Sequence, residues 1–269
     1  MKSARFAHGV CIPALTPICL PVLITYAKMS ANSIRISGEH ITHELIVLDH
    51  VTRHYRRGDV IAIRDVSLTI HAGEYIAITG PSGSGKTTLH CLASGLERPT
   101  SGRVLFEGVE PKFPAGWTAL RAHRIGIVFQ SFHLIPGLTA AENVELPMFG
   151  VVRGEGLRRK RVQSLLARVG LDRRGRHRIS EMSGGECQRA AIARALANSP
   201  GVVFADEPTG DLDSRTASDI LSLLEILNRE EGVALVVITH DVRISERAPR
   251  RIRLLDGRIV CDEHRDGRP

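Results

Sequence analysis

The stretch YIAITGPSGSGKTTLH, residues 75–90, constrains this chain more than any other. An apolar, β-prone run enters a glycine-rich loop, and a helix-forming run follows, so a strand, a turn and a helix are specified in that order. The loop fits G-x-x-x-x-G-K-[ST]. Gly80, Gly83 and Gly85 allow successive backbone amides to curl around phosphate oxygens, with Pro81, Ser82 and Ser84 between them. Lys86 supplies a mobile ammonium for the terminal phosphates, the Thr87 hydroxyl is placed for magnesium, and Thr88 continues the helix. A glycine-rich turn without a nucleotide is the weaker reading, because strand, lysine and threonine all stand where the chemistry needs them.

The segment VVFADEP, residues 202–208, supplies the matching acids. Its apolar run reads as a central strand that delivers Asp206 and Glu207 at the carboxyl edge, where open α/β sheets bind ligands. Asp206 suits the shell of a magnesium ion, which takes few carboxylates and keeps its waters. Glu207 is then free to position or deprotonate an attacking water. Gln130 ends the strand IGIVFQ, His240 closes ALVVITH, and Tyr55 sits in a turn ahead of the core. Their expected partners are magnesium or water for Gln130, the γ-phosphate and Glu207 for His240, and a nucleotide base for Tyr55. Singly, each also reads as a capping glutamine, a satisfied histidine or a surface tyrosine.

A second anion site is written further on. In MSGGECQR, residues 182–189, Ser183 is a good helix cap, and Gly184 and Gly185 let the backbone approach a neighbour closely. The run that follows forms a helix readily, so its N-terminus favours negative charge.

Around these motifs strands and helices alternate with short connections, which argues for a parallel sheet covered by helices. LIVLDHV, DVSLTI, RVLFEGV and the final pair RIRLL and GRIVCD read as further strands, and SRTASDILSLLEILNRE as a helix. Between residues 131 and 199 the periodicity is helical, marking an inserted subdomain. Five cysteines (Cys11, Cys19, Cys91, Cys187 and Cys261) show no metal-binding spacing and read as reduced thiols. The formal charge of +7 comes from residues 153–178, where nine Arg and Lys160 face Glu155 and Asp172. That segment reads first as a solvated helix face and second as a surface for anionic lipid or an acidic partner.

The apolar run from Val10 to Ala27 follows Lys2 and Arg5 and resembles a signal sequence or short anchor. Pro13, Pro17 and Pro21 interrupt it at every fourth position, against a membrane helix. The expectation is an N-terminal extension over residues 1–40, disordered or a mis-called start, with Met29 as the real start and the first 28 residues a mis-called extension.

Tyr55, GPSGSGKTT, Gln130, MSGGECQ, FADEP, GDLD and ITHD stand in the order and spacing of the ABC-type ATPase subunit, which the chain resembles from about Leu45 to Asp262. Details such as HRIGIVFQSFHLIPGLTAAENVELPM resemble the branch that powers lipoprotein release, macrolide-type efflux and cell division. The resemblance implies an α/β P-loop NTPase fold over residues 41–265, with a RecA-like core, an antiparallel β subdomain and a helical subdomain over about residues 131–199. It implies ATP and Mg²⁺ as ligands and a head-to-tail dimer. Ser183, Gly184 and Gly185 of one subunit would close on the γ-phosphate held by the other, and Asp213 would cross the interface. It also implies a separate multi-span permease as partner, docking near Phe132 and Leu134, at the cytoplasmic face of the inner membrane.

Met182 replaces the family's usual leucine, Cys187 a polar residue, and Asp211 the asparagine common in this branch. A soluble ABC ATPase acting on nucleic acid is the alternative. It is discounted because the chain has no tandem cassette, long coiled-coil insertion or zinc module, so no nucleic-acid partner is expected. A P-loop kinase or GTPase leaves MSGGECQ unexplained.

Overall fold

A computed structural model describes residues 43–265. The extension over residues 1–40 and the apolar run within it lie outside the described residues. Strands β1 (Glu44–Tyr55), β2 (Val60–His71) and β4 (Ser101–Phe106) form an antiparallel sheet in the order β2-β1-β4. The second sheet also contains β3 (Tyr75–Thr79), β5 (Ile125–Val128), β6 (Val202–Asp206), β7 (Ala234–Ile238), β8 (Arg250–Leu255) and β9 (Arg258–His264). Its order is β5-β6-β7-β3-β8-β9, parallel as far as β8 and antiparallel at β9.

The central strands are apolar at successive positions because both of their faces are covered. Ile76, Ile78, Phe204 and Val236 point towards the antiparallel sheet, packing with Ile46, Leu48 and Phe106. Their neighbours Ala77, Val203, Ala205 and Val237 point the opposite way, into a core shared with the helices. The alternation follows from the two-residue period of a strand. Helix α1 (Lys86–Ala93) puts Leu89 and Leu92 into the first core. Between β5 and β6 come α3 (Ala140–Glu145), α4 (Glu155–Arg168) and α5 (Gly184–Ala195), and α6 (Ser214–Glu231) follows β6. All four helices contribute to the second core.

Several local expectations are corrected. Helix α2 (Ala115–His123) and helix α7 (Val242–Arg247) are absent from the sequence reading. Helix α1 stops at Ala93 because Gly95 turns left-handed, at φ 66°, where a Cβ would lie 2.0 Å from Trp117 of α2. Tyr55 is the last residue of β1 rather than part of a turn, and β5 ends at Val128, two residues before Gln130. Residues 131–139 are not helical; helix begins at Ala140, where Thr139 and Glu142 form a reciprocal capping box.

Arg250 ties the two sheets together. Its guanidinium donates to both Asp262 oxygens at 2.7 and 2.6 Å, to Glu74 Oε1 at 2.9 Å and to the Thr69 carbonyl at 2.8 Å. Bonding to Arg250 holds the Asp262 carboxyl below its ordinary pKa. Such a contribution is complete above the unfolded-state value near pH 4 and is lost as pH falls through the folded value. Arg250→Met is expected to cost about 2 kcal/mol, less than a fully buried pair because Asp262 is partly exposed. For a domain of this size that lowers Tm by roughly 4–8 °C, measurable by calorimetry at pH 7. The difference from the unsubstituted chain should shrink on acidification below about pH 4.

Candidate active site

Parallel register brings the motif residues to one edge. Ile78 and Asp206 both pair with Ile238, so the chain leaves β3, β6 and β7 side by side. Backbone bonds continue past the strand ends, from Thr239 N to the Ile78 carbonyl (3.1 Å) and from Glu207 N to the Ile238 carbonyl (2.8 Å).

The loop over residues 80–85 needs its glycines for separate reasons. A Cβ at Gly80 would lie 2.2 Å from the Leu254 carbonyl oxygen, and one at Gly85 would lie 2.3 Å from that of Ala62. Both positions also have positive φ, 152° and 102°. Gly83, at φ 77°, would point a Cβ into open space. The β8–β9 turn braces the loop from behind, with Gly257 N donating to the Ser84 carbonyl at 3.0 Å. Gly85 caps α1 without a side-chain acceptor, so no cap competes for the first-turn amides. Those amides and the helix dipole favour an anion. The Lys86 ammonium donates to the Gly80 and Pro81 carbonyls at 2.8 and 2.9 Å, over the same loop.

Asp206 ends β6, with His90 Nδ1 3.9 Å from its Oδ2, too far for a hydrogen bond. Glu207 is fixed on every side. Its backbone is left-handed at φ 44°, an uncommon state for a residue with a Cβ. Its Oε1 accepts from His240 N at 3.0 Å and lies 2.7 Å from His240 Nδ1, while its Oε2 accepts from the Thr239 hydroxyl at 3.2 Å. The His240 ring is otherwise open to solvent, and the carboxylate is largely covered. Sequence reasoning missed Thr239, although a polar residue at the end of an apolar strand beside His240 was a usable signal.

Gln130 is exposed and lies against Gly210, where a Cβ would be 3.1 Å from its Nε2. The next loop contains two consecutive left-handed residues, Phe132 (φ 58°) and His133 (φ 48°). Arg194 of α5 donates to both of their carbonyls, pinning that loop to α5. Leu134 packs against the helical-side core, as do Met182 and Leu212. Cys187 is buried, which raises its thiol pKa.

Ser183 caps α5 in a capping box: its Oγ accepts from Glu186 N at 3.3 Å, and Glu186 Oε2 accepts from Ser183 N at 2.9 Å. The close approach that Gly185 permits is to α6 within the same chain, since a Cβ there would lie 2.4 Å from Thr216 Cγ2. Gly184 faces Leu212 at an ordinary 3.4 Å. Asp213 caps α6, accepting from Arg215 N and Thr216 N through Oδ1 and from the Thr216 hydroxyl through Oδ2. That hydroxyl, then the amides, holds its carboxyl below the usual range. Tyr55, half-buried, donates its hydroxyl to Glu97 Oε2 at 2.6 Å.

The structure therefore brings Gly80–Thr88, Asp206, Glu207 and His240 to one sheet edge. It places Ser183 and Asp213 at two separate helix N-termini, each engaged with its own chain. Thr87, Asp206 and Gln130 offer a hydroxyl, a carboxylate and an amide carbonyl, a hard oxygen set that fits magnesium shared with phosphates and water. The edge as a whole can hold a polyphosphate and fix a carboxylate near it.

The ABC transporter family model matches residues 63–210. The macrolide export ATP-binding/permease protein MacB of Hyphomonas neptunium is 45% identical over 226 residues, covering 82% of this chain. The match takes in 35% of that relative, so the chain spans about a third of its length. Among solved structures, the dimeric ATP-binding cassette MJ0796 in a post-hydrolysis state with ADP and Pi is 41% identical, with a TM-score of 0.77. That match covers 83% of this chain and all of the cassette. The cbiO1 protein of Clostridium perfringens, part of the cbiONQ transporter complex, is 30% identical with a TM-score of 0.76, covering 82% of this chain and 89% of that one. An α/β P-loop fold with a phosphate loop, a strand-end acid pair and these relatives leaves one assignment: the chain belongs to the ABC transporter family, as an ATP-binding and ATP-hydrolysing domain.

Proposed function

We propose that this domain drives a membrane permease by closing on ATP as a dimer and reopening after hydrolysis, in export or lipoprotein release. The observation that carries the hydrolytic half is Glu207, held by Thr239 and His240 at the strand end beside the phosphate loop. Gly80, Pro81, Ser82, Gly83, Ser84 and Gly85 cradle the phosphates by their backbone, and Lys86 exchanges its loop carbonyls for phosphate oxygens. Thr88 continues the amide row, and the Tyr55 ring supports the adenine. Thr87, Asp206 and Gln130 would hold magnesium, which would supply charge neutralisation to the bound phosphates. Glu207 orients and deprotonates the attacking water, with His240 fixing the carboxylate and facing the γ-phosphate.

The second anion site finds its use in a partner copy. Ser183 uses its oxygen as an acceptor within the cap, which leaves its proton to donate outward, and the α5 N-terminus adds a favourable dipole. A head-to-tail pair therefore presents this terminus to the phosphates held by its partner, with Asp213 and Asp211 at the interface. The dimeric cassette with ADP and Pi supports this reading.

The relative's printed name joins ATP binding and permease in one protein. Among the described residues no helix is long and apolar enough to cross a membrane. We place the domain at the cytoplasmic face of the inner membrane, against a multi-span permease. The basic segment does not favour nucleic acid. Arg158 pairs with Glu145 and lies over the Phe149 ring, while Arg159, Arg168 and Arg174 pair with Glu155, Glu231 and Glu186.

The test is affinity purification of the full chain carrying Glu207→Gln from detergent-solubilised membranes with and without ATP. ATP-dependent recovery of a multi-span membrane protein is the expected result. Recovery of soluble proteins or nucleic acid alone overturns the transport assignment.

A further inference from the structure

The adenine platform is built by more than its tyrosine. Tyr55 ends β1, and its ring is held at two places. The Arg53 guanidinium lies over one face, 4.6 Å from the ring centroid. The hydroxyl, at the ring's far edge, donates to Glu97 Oε2 at 2.6 Å. The two clamps are joined. Arg53 Nε lies 3.1 Å from the same Glu97 oxygen, an ion pair rather than an aligned hydrogen bond, and Arg53 Nη1 donates to the Arg98 carbonyl at 3.0 Å. Glu97 is itself tied to the phosphate-loop helix, since its amide donates to the Cys91 carbonyl at 3.0 Å.

This linkage matters for binding. A half-exposed aromatic side chain that must stop rotating when a base stacks on it loses rotamer freedom, which weakens the complex. Here the ring is already held at its hydroxyl and across one face by a cation, so a base would stack on the face opposite Arg53. Because Glu97 hangs from the helix that opens with Lys86, the base platform and the phosphate cradle are held at a fixed separation.

We propose that Glu97 and Arg53 are positioning residues for the nucleotide base, acting through Tyr55 and setting affinity for ATP without taking part in hydrolysis. The proposal rests on the reading of Tyr55 as the adenine platform, and the experiment separates the two. Steady-state ATPase kinetics of the full chain are compared for Tyr55→Phe, which keeps the ring and loses the hydroxyl, for Glu97→Ala, for the double variant, for Glu97→Gln and for Tyr55→Ala. Inhibition by tripolyphosphate, a probe without a base, is measured alongside.

Tyr55→Phe and Glu97→Ala should each raise KM for ATP by about five- to tenfold, the size of one ordinary hydrogen bond, since the contact acts on the nucleotide only through the ring, with kcat changed less than about twofold. The double variant should be no worse than the weaker-binding single, because both remove the same contact. Glu97→Gln retains an acceptor and should stay within about twofold of the unsubstituted chain. Tyr55→Ala should raise KM by about 30-fold through loss of stacking. The inhibition constant of tripolyphosphate should not move in any of them, whereas a general loosening of the helix would shift it. A large effect of Tyr55→Ala with none from Tyr55→Phe and Glu97→Ala keeps the platform and overturns the positioning role. Additive effects, or a shift with tripolyphosphate, also overturn it. No effect of Tyr55→Ala removes the platform reading itself.

Discussion

Glu207→Gln is expected to lower steady-state ATP turnover by about 10²- to 10⁴-fold while leaving ATP affinity within about threefold. The substitution changes little besides basicity. An amide oxygen at this position can still accept from His240 N, and its NH₂ can donate to the Thr239 hydroxyl, which itself accepts from Asp241 N. The left-handed backbone is secured by the bonds from Glu207 N to Ile238 and from Gly210 N to the Glu207 carbonyl, neither of which involves the side chain. Binding groups on the phosphate loop are untouched. Single-turnover kinetics with radiolabelled ATP separate the two effects: the bound nucleotide should remain ATP over many wild-type turnover times. Rapid conversion to ADP would remove Glu207 from the chemical step.

Lys86→Ala should have the opposite profile, with the loss appearing in binding as well as in rate. Removing a charged donor to phosphate costs about 1.5–3 kcal/mol, which is roughly 10- to 150-fold in ATP affinity. Turnover at saturating ATP should fall by a further factor of about 10² to 10³, because the ammonium meets charge that grows in the transition state. The fold should survive. The protein partners of the ammonium are the Gly80 and Pro81 carbonyls on a partly open loop, and both can turn to water. The readout is thermal: at 100 times its Kd, ATP stabilises the folded protein by about 2.7 kcal/mol, and this variant should keep only about 0.3–1.4 kcal/mol of that at the same concentration. A full ATP-induced shift would mean that the nucleotide is held elsewhere.

The site was legible in the sequence because its chemistry sits at strand ends. YIAIT, VVFAD and ALVVI are apolar enough to be central parallel strands, and parallel strands necessarily deliver the residues that follow them to one edge. Thus Gly80, Glu207 and His240 could be grouped before any coordinates. What was not legible depends on pairs far apart in the chain. Helix α2 has one buried side chain, Trp117, and therefore no apolar stripe to betray it. Its reason for existing is the groove over Gly95, a contact with no sequence period. Gly185 illustrates a subtler limit. A glycine beside a helix cap suggests room for a ligand, yet the room at this position is filled by Thr216 of α6. Asp213 likewise serves its own helix as a cap. The clamp on Tyr55 joins residues 53, 55 and 97, and neither Arg53 nor Glu97 stands out in composition or spacing.

The account turns on the claim that one chain supplies half of each nucleotide site. Sedimentation velocity of the full chain carrying Glu207→Gln, with and without ATP and Mg²⁺, tests it most directly when repeated with Ser183→Arg added. The account predicts a monomer without nucleotide, a dimer holding one ATP per chain with it, and a return to ATP-bound monomer once Ser183 is replaced. An ATP-saturated monomer before that second substitution, or a dimer indifferent to both ATP and Ser183, would contradict it.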